Sequence, residues 1–214
     1  MRNTLARAAS RSAVNLLFFA VIGTVILAST HLLTEETIQQ TVEEEKLKLI
    51  SQILPENAYD NDILKDTLPI QPDPLLNNGD VTTAYRARLH DKPAAVVLEA
   101  VAPDGYSGKI FLILAIRANG EVAGVRVLNH HETPGLGDYI ELPKSPWIKQ
   151  FDGKSHANRP EPDWKVKKDG GQFDSVAGAT ITPRAIVKAM NKALNYFEAN
   201  REALFAAPVE KTHE

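Results

Sequence analysis

The sequence predicts an α+β fold: an antiparallel sheet with packed helices, preceded by one N-terminal transmembrane helix. Three observations carry this. Ala13 to Leu33, AVNLLFFAVIGTVILASTHLL, holds no Asp, Glu, Lys or Arg. KIFLILAIRANGEVAGVRVLNH, residues 109–130, has apolar runs on both sides of Asn119-Gly120, a strong hairpin signal. Ile186, Val187, Met190, Ala193, Leu194 and Phe197 recur at helical spacing and mark the buried face of a last helix.

The first element is the anchor, residues 13–33. At about 1.5 Å per residue it spans roughly 31 Å, close to the hydrocarbon thickness of a bilayer. A cleaved signal peptide has a shorter apolar core, and no clear A-x-A site follows, so the segment reads as an uncleaved anchor. Arg2, Arg7 and Arg11 precede it; Glu35, Glu36, Glu43, Glu44 and Glu45 follow it. The positive-inside rule puts residues 1–12 in the cytoplasm and the rest across the membrane. In a Gram-negative cell that means an inner-membrane protein with a periplasmic domain. The span carries no acidic or basic group suited to conduct an ion. Ser12, Ala20, Thr24 and Ala28 share an i+4 stripe, which reads either as a close-packing face or as ordinary small-residue content.

Residues 34–93 read as stalk helix and linker. Ile38, Val42, Leu49, Ile50, Ile53 and Leu54 keep helical spacing until Pro55 ends the run. Pro55, Pro69, Pro72 and Pro74, followed by NNGD, read as irregular linker. The folded domain is expected over 94–205. Ala94 to Ala102 is a short apolar strand, and PDGYSG turns the chain into the hairpin, giving three antiparallel strands. Tyr139 to Phe151 reads as a short helical segment broken by Pro143 and Pro146. Trp164 to Lys168 reads as another strand, turning at Asp169-Gly170-Gly171, and Phe173 to Val176 as extended chain. Thr182 to Phe205 is the last helix, and 206–214 a tail.

Composition excludes several functions. A formal charge of −3 gives no electrostatic footprint for nucleic acid. No cysteine is present, which excludes disulfides, iron–sulfur clusters, cysteine-bound zinc and covalent c-type haem. Redox chemistry would need an organic cofactor or haem. His130, His131 and Glu132 invite a metal, but adjacent residues at a strand end face opposite ways, and no metal site is assigned. Gly135-Leu136-Gly137 lacks the rest of a dinucleotide fingerprint, and no G-x-S-x-G nucleophile motif occurs. Trp147, Trp164 and Tyr106 read equally as stacking partners for a flat ligand or as packing residues. Asp138 reads as a cap for the segment after it.

The most informative stretch is DSVAGATITPRA, beginning at Asp174. Proline favours the first helical position and threonine the N-cap, so Thr182 reads as a cap before Pro183. Gly178, Ala179 and Thr180 fall in the turn just ahead. A hydroxyl there lies beside unpaired backbone N–H groups and the positive end of a helix dipole, a favourable place for a phosphate. Arg184 reads as a phosphate partner. Ordinary helix punctuation explains the same residues without a ligand.

Asp174-Ser175-Val176-Ala177-Gly178-Ala179-Thr180 resembles the flavinylation signal D-x-x-[S/T]-G-A-T of the FMN-binding domain family. That domain occurs in the G subunit of the Rnf electron-transport complex and in the C subunit of the sodium-pumping NADH:quinone reductase. Ala177 stands where the family often has Ser or Thr. HHETPGLGDY, beginning at His130, resembles the family's H-x-E-T-P-G-L-G segment, and DGYSGKI, from Asp104 to Ile110, fits it as well. LPKSPWIKQFDG and the chain length look more like the Rnf protein.

The resemblance implies FMN attached by a flavin transferase through a phosphoester to Thr180. Asp174, Gly178, Ala179 and Thr180 are then the transferase recognition positions. Glu132, Thr133, Gly135, Leu136 and Gly137, with Gly178 and Ala179, are implied to line the flavin pocket. The implied function is electron relay within an ion-translocating oxidoreductase complex. Its partners would be the other membrane and redox subunits, the flavin transferase during maturation, and membrane lipid. The equivalent quinone-reductase protein and a non-redox periplasmic scaffold are the alternatives.

Overall fold

A computed structural model describes residues 2–206. The expected tail therefore lies, apart from Ala206, outside the described residues. So do the side chains of Arg2, Arg7, Ser12, Glu36, Ile38, Val42, Glu43 and Glu45. The chain forms two compact units, 1–48 and 49–214.

Helix α1 runs over Arg2–Ile53. Ala13–Glu35 within it is long and apolar enough to cross a membrane, with mean hydropathy 2.2 and none of it buried in protein. The hydroxyls of Thr24, Thr30 and Thr34 donate to carbonyls one turn earlier, Ala20, Ile26 and Thr30 respectively. Their polar atoms are thus satisfied within the helix, as an apolar surrounding requires.

The second unit is built on a five-stranded antiparallel meander: β1 (Thr67–Ile70), β2 (Thr82–Leu89), β3 (Lys92–Gly105), β4 (Gly108–Arg117) and β5 (Val122–Asn129), in that spatial order. Helix α2 (Ile181–Phe205) packs mainly across β3. The alternating pleat of the central strands sends side chains to both faces. Val96, Leu98, Ala100, Leu112 and Leu114 meet Ile186, Met190, Ala193, Leu194 and Phe197 of α2 in one buried cluster. Ile50, Ile53 and Leu54, at and just beyond the end of α1, are buried as well. A Cβ on Gly124 of β5 would stand 3.0 Å from the Cα of Ile53, so glycine is what lets that last turn lie on the strand.

The α+β class is as the sequence predicts, but the sheet has five strands rather than three. β1 and β2 lie inside the stretch read as linker. Pro69 belongs to β1, which is an edge strand, where a missing N–H is tolerated. Arg86 in β2 is a buried cation, which hides the apolar alternation. Its guanidinium pairs with the Asp66 carboxylate at 2.5 Å and donates to the Ala206 carbonyl at 2.6 Å. Asn78, within NNGD, is buried and hydrogen-bonded to Gln71, Asp73 and Asp80, which makes that turn part of the fold.

The expected strand at Trp164–Lys168 is also corrected. It makes a single bridge, Val166 to Phe173, and curls at Lys167–Asp169 into a 3₁₀ turn closed by Gly170 at φ 82°. Asp138–Ile140 and Pro146–Phe151 are short 3₁₀ turns, in keeping with the helical segment that the prolines interrupt.

Candidate functional site

Three segments converge on one cleft of about 340 Å³. The β3–β4 turn contributes Tyr106. The loop after β5 contributes Glu132, Thr133, Leu136 and Gly137. The entry to α2 contributes Gly178, Ala179, Thr180, Ile181 and Thr182. The sequence names seven of these ten as candidate site residues. The hairpin order of the meander accounts for the convergence, because the β3–β4 turn and the end of β5 lie at the same end of adjacent strands.

Glu132 is the buried charge of the cleft, 4% exposed. Its Oε1 accepts the Ser107 N–H at 3.0 Å, and its Oε2 accepts the Thr182 hydroxyl at 2.5 Å. The Glu132 N–H donates to His130 Nδ1 at 2.9 Å, and His130 Nε2 lies 2.6 Å from Glu141 Oε1. A ring nitrogen that accepts at Nδ1 must carry its proton at Nε2, so the imidazole donates to Glu141.

This network draws two carboxyls down. Lys144 and the Gly135 N–H hold Asp138 below its usual range, and His130, then Lys144, does the same for Glu141. The Asp138 carboxylate accepts the Gly135 N–H at 2.8 Å and pairs with Lys144 at 2.8 Å. Asp138 therefore braces the loop from within its 3₁₀ turn, whose N-cap is Gly137 rather than Asp138. Gly135, at φ 77°, makes this turn possible but does not line the cleft.

The entry to α2 differs from the expected cap. The helix begins at Ile181 and its N-cap position is Thr180, at φ −80° and ψ −20°, with no hydrogen bond from its hydroxyl to the helix. Two causes are visible. The helical dihedrals do not aim the side chain as the extended conformation of a capping residue does. Pro183 occupies the third helical position and has no N–H to offer. Thr182, expected as the cap, is 1% exposed and gives its hydroxyl to Glu132. Arg184, expected near a phosphate, instead meets Asp169 with two hydrogen bonds at 2.5 and 2.6 Å.

Asp174 stands outside the cleft lining, exposed, with its carboxylate 2.6 Å from Lys167 Nζ. Its carbonyl accepts the Trp147 indole N–H at 2.8 Å. Trp147 and Trp164 both belong to the core. Trp147 meets Tyr139 and Phe151 edge-on, and Trp164 packs against Phe151 and Phe173. Neither reaches the cleft, which resolves their double reading in favour of packing. Tyr106, by contrast, lies at the cleft and is 67% exposed. Ile181 and Thr182, absent from the expected pocket, had no signal beyond their adjacency to Thr180.

The cleft suits a flat aromatic ligand with a phosphate tail. Tyr106, Leu136 and Ile181 are exposed large side chains gathered around it. The N–H groups of the first helical turn have no intrahelical acceptor by position. Gly178, at φ 86°, has nothing within 4 Å of where a Cβ would stand, so the backbone is open to close approach.

The fold and cleft belong to a class of flavin-carrying domains: residues 105–195 match the family model of the FMN-binding domain. Residues 1–53 match the RnfG N-terminal region. A protein from Pseudomonas aeruginosa, named as the G subunit of an ion-translocating oxidoreductase complex, is 47% identical over 208 residues, 97% of each chain. Proteins of the same name from Shewanella loihica and Vibrio atlanticus are 46% identical over 190 residues and 41% over 194. These matches cover 89% and 91% of this chain and 90% and 92% of theirs. The chain belongs to this family of ion-translocating oxidoreductase G subunits.

Proposed function

We propose that this protein is a membrane-anchored FMN subunit relaying electrons within an ion-translocating oxidoreductase complex of the Rnf type, with FMN joined by a phosphoester to Thr180. The observation that carries the attachment is the Thr180 hydroxyl. It lies at the cleft, at an N-cap position, without the capping bond that such a side chain ordinarily makes. Phosphoester formation would join the Thr180 oxygen to the flavin's phosphorus and break that phosphorus's bond to the second phosphate of a flavin dinucleotide donor, whose nucleoside monophosphate leaves and takes up the hydroxyl proton.

Bound FMN supplies the electron transfer. The chain's own residues do the rest. N–H groups of the first turn of α2 and its dipole favour the phosphate. Leu136, Tyr106 and Ile181 would offer the ring apolar contact. Gly178 and Ala179 leave room for the cofactor and for the enzyme that installs it, and Asp174 is an exposed recognition point. Thr133 and Gly137 complete the lining, and Gly135 shapes their loop.

The anchor Ala13–Glu35 would hold the chain in the inner membrane. Arginines before it and glutamates after it support a cytoplasmic N-terminus and a periplasmic domain. The partners are the other membrane and redox subunits, the flavin transferase and surrounding lipid.

The test is Thr180→Ala in full-length protein co-expressed with a flavin transferase. Wild type should fluoresce under ultraviolet light on a denaturing gel and carry the FMN adduct by intact mass; the variant should do neither. A variant as bright as wild type would exclude Thr180 as the acceptor. A wild type without an adduct would favour the colourless scaffold.

A further inference from the structure

We propose that Glu132, Tyr139 and Thr182 are positioning residues that clamp the chain on both sides of Thr180, fixing the acceptor backbone while leaving its hydroxyl free. This inference deepens the reading of Thr180 as the attachment point and rests on it for its consequence. Two hydrogen bonds carry it. The Tyr139 hydroxyl donates to the Ala179 carbonyl at 3.1 Å, immediately before Thr180. The Thr182 hydroxyl donates to Glu132 Oε2 at 2.5 Å, two residues after it. Both partners come from the loop after β5.

That loop is itself held. Glu132 Oε1 is anchored by the Ser107 N–H of the β3–β4 turn. A Cβ on Gly105 would stand 2.9 Å from Oε1, and one on Gly137 would stand 2.7 Å from Oε2. Two glycines therefore clear the space that this carboxylate fills. Burial makes the Thr182 bond strong, because a carboxylate out of water depends on each donor it has.

The clamp also separates the two threonines chemically. Thr182 is buried with its proton committed to Glu132, so it is no competitor for the phosphate. Thr180 is half-buried with its hydroxyl uncommitted. Held backbone with a free hydroxyl is the arrangement that lowers the entropic part of a transfer barrier.

The experiment uses full-length protein in detergent, without FMN, as wild type, Thr182→Val, Thr182→Ser and Tyr139→Phe. Hydrogen exchange is read at amides 177–182, with β3 and β4 as the reference for global opening. Thr182→Val and Tyr139→Phe should speed exchange at 177–182 by about tenfold, the size expected for one hydrogen bond to a charged or buried partner. Exchange in β3 and β4 should stay unchanged, and Thr182→Ser should restore the wild-type rate. Flavinylation by the transferase, read at the initial rate, should fall about tenfold in the same two variants and recover in Thr182→Ser.

Exchange within about twofold of wild type at 177–182 would overturn the clamp. So would equal acceleration in β3 and β4, which would mean that these groups only hold the fold together. Unchanged flavinylation of Thr180 in both variants would also overturn it. Wild type that takes no FMN at Thr180 would instead overturn the proposed function, with exchange still deciding the clamp.

Discussion

Gly137 lies against Glu132 so closely that a Cβ on the glycine would stand 2.7 Å from the Glu132 Oε2 and 2.9 Å from its Cβ. The backbone of Gly137 is ordinary, at φ −102°, so the requirement for glycine is steric and not conformational. Gly137→Ala should lower stability by about 1–3 kcal/mol, as overpacking of a buried site does. Urea unfolding measures this. The companion Glu132→Ala should relieve the contact with Oε2 while keeping that with Cβ, so the double variant should lose somewhat less than the sum of the two singles. Strict additivity would mean that the two side chains do not meet. Gly135 makes the contrast: it sits at φ 77° with open space around it, so its alanine variant should lose about 1–2 kcal/mol through backbone strain alone.

Asp66 is the second point where one side chain holds distant segments. It pairs with Arg86 at 2.5 Å and Arg88 at 2.6 Å, and both arginines reach on to carbonyls at the end of α2. Cations at a helix C-terminus are favourable, and the acid between them balances their charge. Removing it would leave two poorly hydrated guanidinium groups facing each other. Asp66→Ala should therefore lose about 3–5 kcal/mol in the same unfolding measurement. Exchange should quicken first at the last turn of α2. A loss under about 1 kcal/mol would place the pair with exposed ion pairs, which contribute little.

The loop after β5 should respond to acid. Lys144 holds Asp138, and His130 with Lys144 holds Glu141, below their ordinary values of 3.8 and 4.5. A carboxyl whose folded value is depressed contributes stability above its unfolded value and loses it as pH falls through the folded one. The loop should thus be fully braced at neutral pH and loosen as pH falls below about 4.5, the higher unfolded value. Lys144→Met should raise both carboxyls and shift the acid limb of the stability profile toward higher pH. Carboxyl titration by NMR measures the two directly, and an unmoved Asp138 would contradict its pairing.

Different physical signals account for what the sequence revealed and what it hid. The β4–β5 hairpin was legible because Asn119-Gly120 supplies the positive φ that a tight turn needs, and Gly120 indeed sits at φ 91°. Helix α2 was legible from period alone. β1 and β2 were hidden because a proline and a buried arginine, Arg86, occupy positions where an apolar alternation would announce a strand. Their pairing depends on Asp66 and Ala206, the latter far along the chain, which no local window contains. At the cleft, Thr182 read as a cap because Thr-Pro is a common helix opening. Only the fold reveals that Glu132 takes its hydroxyl. The same limit applies to Arg184, whose fork is taken by Asp169, and to Tyr106, whose exposure at the cleft depends on where the β3–β4 turn ends.

Tyr139 offers a spectroscopic handle on the cleft. Burial of its half-covered ring, with the nearby Glu132 charge adding, pushes the phenol up from 10.0 to about 12. The neutral form donates to the Ala179 carbonyl, and a phenolate cannot. For a phenol whose folded value is raised, the stability it contributes is complete below the unfolded value and disappears as pH rises through the folded one. The hydrogen bond should thus persist through neutral pH and fail between about pH 10 and 12. Tyrosinate absorbance of the folded protein should show a late-titrating ring that Tyr139→Phe removes. Tyr59 and Tyr196 are also raised by burial, so subtraction of the variant's curve is what isolates Tyr139. Stability of the variant should fall less steeply on the alkaline side than that of wild type. A difference curve without a late step would mean that the Tyr139 hydroxyl is open to water.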